Sequence, residues 1–128
     1  MDDTSFPNPQ WMAGFRERVN ADAELAVTGR WFSVPFALTF GERRYVVTIE
    51  HGRISEINAA PRFDARALFG FRAPMAVWDR FLSPHPPPLY HDFFAMLMRG
   101  PEFVLEGDGL VAMQNARALH RMMNLMRG

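Results

Sequence analysis

The chain has 128 residues, 48% of them apolar and 22% charged, with zero formal net charge and no cysteine. That length fits one domain with one core, burying roughly two-thirds of the surface of the unfolded chain. The charge balance lacks the basic excess expected of a nucleic-acid binder or of a binder of anionic membranes. Missing cysteine excludes thiol catalysis, thiolate metal sites and disulfides; and because all 14 basic residues are arginine, lysine Schiff-base and phosphate-loop chemistry is excluded as well.

The opening MDDTSFPNPQ is acidic and broken by proline where a secretion signal is basic and then apolar, and no apolar run reaches the length of a membrane span. A single domain over 1–128, with 1–8 flexible, in a cytoplasmic protein without stable membrane insertion is the expectation. Asn8-Pro9 marks a helix start. Trp11, Met12, Phe15 and Val19 then fall near one face of a short amphipathic helix that ends around Asn20. From Ala23 the apolar period reads as two, with Leu25, Val27 and Gly29 alternating as in a strand. Further strands are expected at Phe36–Phe40, Tyr45–Ile49 and Ile54–Ile57, joined by turns at Gly41-Glu42-Arg43 and His51-Gly52-Arg53. Phe63, Ala65, Ala67, Phe69 and Phe71 supply one face of another strand, opposite Asp64, Arg66 and Arg72, which should cover the core on one side only.

After Ala73 the pattern becomes helical. Pro74 opens a helix with Val77, Trp78, Phe81 and Leu82, and a second is expected from about Leu89 to Arg99, closed by Gly100 and Pro101. On the second, Tyr90, Phe93, Phe94 and Leu97 form a stripe that Leu89, Met96 and Met98 widen, so it is buried on most sides or faces something apolar. Phe103–Glu106 reads as a short strand and Asp108 as the cap of the last helix. That helix, about 18 residues and roughly 27 Å long, turns Ala112, Met113, Ala116, Leu119, Met122, Met123 and Met126 inward, with Gln114, Arg117, Arg121 and Asn124 wet.

Between the two central helices lies SPHPPPLYHD, Ser83 to Asp92. The spacing of His85 and His91 fits no helical i, i+4 pair, and His91 and Asp92 would point about 100° apart on a helix, so the stretch reads as a stiff spacer in preference to a metal site or a PxxP docking peptide. No metal or cofactor is expected. None of Ser5, Ser33, Ser55 and Ser83 lies in a G-x-S-x-G elbow, and no H-E-x-x-H or phosphate-binding motif occurs; a catalytic role is not expected.

The HG turn at His51-Gly52, the stretch FDARALFGFRAPMAVWDRFL with Trp78, and MLMRGPEFVLEGD with Gly100 and Gly107-Asp108 resemble the sterol carrier protein 2-like family over about Trp11 to Met126. The resemblance implies an α+β fold, a five-stranded mainly antiparallel sheet packed by helices and enclosing an apolar tunnel for sterols, fatty acyl chains or other lipids. Two departures stand out: the proline-rich connector where a shorter polar link is expected, and a C-terminus without a Ser-Lys-Leu-type peroxisomal address, which fits a bacterial or cytoplasmic protein. Nine methionines supply side chains flexible enough to adapt to an irregular ligand. The walls expected to bind ligand are Trp78, Phe81, Phe93, Phe94, Leu97, Met113, Leu119, Met122, Met123 and Met126, with Arg72 and Arg99 as headgroup contacts if the fold brings them to the mouth. The expected function is non-catalytic binding or transfer of a hydrophobic molecule. The rival readings are a module presenting a hydrophobic intermediate such as a quinone precursor to an enzyme partner, and a core-filled domain that forms a homodimer or another protein contact.

Overall fold

A computed structural model describes residues 5–61 and 65–127. Helix α1 (Pro9–Ala21) is followed by α2 (Ala23–Thr28), then strands β1 (Pro35–Phe40), β2 (Arg43–Glu50), β3 (Arg53–Asn58) and β4 (Phe69–Ala73). Helices α3 (Met75–Leu82) and α4 (Phe93–Arg99), strand β5 (Val104–Gly107), helices α5 (Gly109–Gln114) and α6 (Ala116–Asn124) and a 3-10 turn at Leu125–Arg127 complete the order. The strands form one five-stranded sheet in the order β3-β2-β1-β4-β5, antiparallel throughout except for the parallel pair β1 and β4. This is the α+β architecture expected from the sequence.

The period-two pattern of the strands places Phe36, Leu38, Phe40, Tyr45, Val47, Ile49, Phe69 and Phe71 on one face, where all are buried beneath the helices. Trp78 of α3 inserts into this layer with no exposed surface; its ring centroid lies 4.8 Å from Phe40 and 5.3 Å from Phe103, and its indole N–H donates to the Thr39 carbonyl at 3.0 Å. Edge strand β3 is covered by α1. Asn20 exchanges hydrogen bonds with the backbone N–H and C=O of Ile54, and Arg16 donates to Ile54 and Ser55 carbonyls, so groups that an open edge leaves unpaired are satisfied.

Several elements depart from the sequence expectation. Ala23–Thr28 is a helix, because Asp22 accepts from the Leu25 amide as its cap and Glu24 sits in its first turn; only Leu25 of the supposed strand face is buried among its side chains. Strand β4 begins at Phe69, and the strand expected from Phe63 onward does not include Ala65 or Ala67; Phe63 and Asp64 lie outside the described residues. As expected, β4 covers the core on one side: Phe69, Phe71 and Ala73 are buried, whereas Arg72 on the other face is exposed and only Gly70, opposite Ala37, is buried there. Helix α4 starts at Phe93 instead of Leu89: Leu89 has a φ of 82° and Asp92 caps the helix, accepting from the Phe94 and Ala95 amides. The last helix is broken at Asn115 (φ −111°, ψ 25°), whose side-chain amide donates back to the Val111 carbonyl at 2.9 Å. Consequently no continuous 27 Å helix forms, and Met113 does not face inward but is 42% exposed. Met98, expected to widen a buried surface, is exposed as well. Before α1, Phe6 packs edge-on against Trp11 and Phe40 at 4.7 and 4.6 Å, which ties that part of the segment expected to be flexible to the core. Among the described residues no helix is long and apolar enough to cross a membrane.

Candidate functional site

The residues expected to wall a tunnel meet one another as a packed layer. Trp78, Phe81, Phe93, Leu119, Met122 and Met123 have no accessible surface and Met126 is nearly as deep; together with Met96 they belong to the cluster that also holds the sheet's inner face. Phe93 is edge-on to Phe71 at 4.7 Å and to Phe103 at 5.5 Å. Among the described residues no polar or charged residue is buried in this layer. Phe94 and Leu97 are half-buried at its border, whereas Met113 lies outside it.

At that border the structure carries an open groove of about 550 Å³ lined by Glu24 and Thr28 of α2, Phe94 of α4, and Ala116, Arg117, His120, Arg121 and Asn124 of α6. Phe94 and His120 stack in it with centroids 5.8 Å apart and planes within 14°. Behind this pair lies the apolar layer, because Phe94 is in turn edge-on to the buried Phe93 at 5.1 Å. An amphiphile in the groove would therefore meet aromatic surface on one side and cations on the other.

The cationic side is built by helix–helix pairing. Arg121 Nη2 and Nε donate to the two carboxylate oxygens of Asp22 at 2.6 and 3.0 Å, and its Nε lies 3.3 Å from Glu24. Hydrogen bonding from Arg121 holds the Asp22 carboxyl below the usual carboxylate range, against the opposing effect of burial. One carboxylate thus caps α2 and fastens it to α6. His120 Nε2 lies 3.8 Å from Asp92 Oδ1, so the cap of α4 is also the neighbour of the groove's histidine.

The connector that raised the metal question is held by arginines. Arg127 donates to the carbonyls of Phe81 at 2.6 Å and of Tyr90 and His91 at 3.0 Å, with its guanidinium 4.2 Å from the Phe81 ring centroid; burial pushes its pKa below the usual guanidinium range. Arg80 donates to the Tyr90 hydroxyl at 3.2 Å. His85 and His91 are both exposed, and Asp92 is engaged in capping. The stretch is a clamped spacer at one end of α4.

Of the residues expected to bind ligand, only Phe94 lines the groove. Neither Arg72, which pairs with Glu106 at 3.3 Å, nor the exposed Arg99 is in its lining. Sequence reasoning missed Glu24 and Thr28 by reading α2 as a strand. It placed Arg117, Arg121 and Asn124 correctly on the wet side of the last helix without seeing that this side faces another helix; their i, i+4, i+7 spacing was the available signal. A smaller hollow of about 210 Å³ lies between α1 and the sheet, lined by Met12, Tyr45 and Ile57 among others.

Comparison with family models and with curated proteins finds no match. Solved structures do match. A crystal structure of sterol carrier protein 2 aligns with a TM-score of 0.77 at 19% identity, covering 96% of this chain and 98% of that one. A conserved hypothetical protein from Thermus thermophilus gives 0.75 at 19% identity over 99% and 91% of the two chains. UbiJ-SCP2, a ubiquinone synthesis protein, gives 0.59 at 12% identity over 92% and 96%. With near-complete alignment of both chains at TM-scores up to 0.77, the chain has the sterol carrier protein 2-like fold.

Proposed function

We propose that the protein binds and transfers a hydrophobic small molecule, of sterol, fatty acyl or similar lipid class, without covalent chemistry. The observation that carries the reading is the continuity from the Phe94–His120 pair in an open groove to an apolar, methionine-rich layer behind it. Met96 on α4 and Met122, Met123 and Met126 at the end of α6 are unbranched and adaptable, so they can re-pack around an incoming chain at small cost. The likeness to structures named as sterol carrier proteins supports the same reading. Burial of about 300 Å² of ligand surface supplies about 7.5 kcal/mol before ordering costs, enough for reversible carriage with weak discrimination among similar lipids.

In this reading the groove is the mouth, with Arg117 and Arg121 beside the polar end of the ligand and the chain entering between α4 and α6. Native mass spectrometry of freshly purified protein, with organic extraction of whatever is released, tests it. A released lipid that exchanges for added cis-parinaric acid is the expected result. A protein that carries nothing and takes up neither cis-parinaric acid nor a lipid panel sinks the carrier reading in favour of a core-filled interaction domain.

The likeness to a ubiquinone synthesis protein favours a second reading, in which the bound molecule is a hydrophobic biosynthetic intermediate presented to an enzyme. Recovery of a quinone precursor in the extract, together with a biosynthetic enzyme in a pull-down, distinguishes it from general lipid carriage.

A further inference from the structure

The corner between α2 and β1 leaves a tryptophan in water. Trp31 is 82% exposed, while Trp78 is fully buried and Trp11 is half-buried against Phe6 and Phe15. The corner itself is held in place. Gly29 N–H donates to Leu25, Phe32 N–H to Gly29 and Gly52 N–H to Phe32, at 2.9, 2.8 and 3.0 Å, and Phe32 is buried. With Phe32 fixed inward, its neighbour is held outward. Val27, 60% exposed, lies one turn earlier on α2.

Cations flank these two apolar side chains. The Arg30 guanidinium is 5.8 Å from the Trp31 ring centroid, and Arg117 of α6 joins Val27, Thr28, Arg30 and Trp31 around a hollow of about 250 Å³. Nearby acids have basic neighbours: Asp22 and Glu24 share Arg121, and Glu50 stands opposite Arg53 in the β2–β3 pairing. Arg30 and Arg117 form no ion pair among the described residues. Zero net charge for the whole chain therefore conceals a local positive spot centred on an exposed indole. The hollow shares Thr28 and Arg117 with the groove, so the spot adjoins the proposed mouth.

We infer that this corner is a reversible docking surface for the headgroup layer of an anionic membrane, set so that the groove opens next to the lipid from which it loads. Tryptophan favours the membrane interface, where its ring is buried and its N–H stays wet, and arginine adds attraction to lipid phosphates. Two apolar side chains and two cations cover far less than the roughly 1,200–2,000 Å² of a stable protein interface. They suit the marginal, reversible attachment that a shuttling protein needs. For its purpose the inference rests on the carrier reading, but its test does not.

The experiment is co-sedimentation of the full chain with vesicles of phosphatidylcholine containing phosphatidylglycerol, against phosphatidylcholine alone, at low and high salt, with tryptophan emission recorded and cis-parinaric acid uptake from solution measured in parallel. Expected are binding to the anionic vesicles with a blue shift, loss of binding at high salt, and affinity lowered about tenfold by Trp31→Ser and about fivefold or more by Arg30→Glu. Both variants should take up cis-parinaric acid like the wild type, since neither residue lines the groove. No binding by the wild type, equal binding by both variants, or a dimer that Trp31→Ser dissociates would each overturn the inference. Vesicle binding without uptake of cis-parinaric acid would uphold the docking surface and overturn the carrier reading instead.

Discussion

Asp22 both caps α2 and fastens it to α6, so replacing it measures how the groove's rim is held. Its carboxylate accepts from the Leu25 amide at 3.0 Å as the cap of α2 and from Arg121 at 2.6 and 3.0 Å, with 10% of the Asp22 side chain and 38% of the Arg121 side chain exposed. Losing a cap costs about 1 kcal/mol. A bidentate, charge-assisted pair that is partly screened by solvent adds about 1 kcal/mol. Asp22→Ala should therefore lose about 2 kcal/mol, and Asp22→Asn, which caps as well as aspartate but carries no charge, about half of that. For a domain of this size each kcal/mol corresponds to roughly 3–4 °C in Tm. Because Arg121 depresses the carboxyl pKa in the folded state, this stabilisation is complete above the ordinary carboxylate pKa of about 4 and is lost as pH falls through the lower folded value. Urea unfolding of wild type and Asp22→Asn at pH 7 and pH 3 is the assay. A gap of about 1 kcal/mol that narrows in acid is expected; no gap at pH 7, or an equal gap at both, would refute the assignment.

Gly52→Ala should cost about 2 kcal/mol or more in the same assay, because Gly52 has a φ of 77° and an added Cβ would lie 2.8 Å from the Leu25 carbonyl oxygen and 2.9 Å from that of Gly29, backbone atoms with no freedom to retreat. Met122→Leu combined with Met123→Leu conserves volume and should cost under about 1.5 kcal/mol per site, yet lower cis-parinaric acid uptake; unchanged uptake would mean that the methionines are ordinary core filling. Arg127→Met removes three hydrogen bonds to carbonyls on both sides of the proline run and should speed amide exchange over residues 83–99 while leaving β1 and β2 protected. Uniform loss of protection would instead make Arg127 a global anchor.

The sequence carried strands β1, β2, β3 and β5, the helix start at Asn8-Pro9 and the cap at Asp108, because each is a local pattern of apolar spacing plus a turn or capping residue; it marked Trp78 as apolar without telling a ligand wall from packed core. Where two local patterns competed, it misled. Leu25, Val27 and Gly29 alternate like a strand, while Asp22 followed by Glu24 is a capping signal that the alternation obscures. The break at Asn115 is hidden, since Met113 to Leu119 reads as good helix. The groove was least legible. Its lining joins α2, α4 and α6, drawn from opposite ends of the chain, and only the packing of the finished sheet decides that Glu24, Phe94 and His120 are neighbours.

The manner in which α4 is secured bears on function more than the depth of the core does. At 7 residues it is too short to be stable alone. Apolar contacts from Phe93 and Met96 hold it on the inside, but its start depends on the Asp92 cap, and the chain leading into it is held by Arg127 and Arg80. Polar clamps at the surface can exchange their partners for water at modest net cost, about 1 kcal/mol per hydrogen bond, whereas separating the strands would expose the whole aromatic layer. Opening is therefore cheapest where α4 meets α6, at the Phe94–His120 pair, so under the proposed carrier function a ligand would reach the methionine layer there without disturbing the sheet.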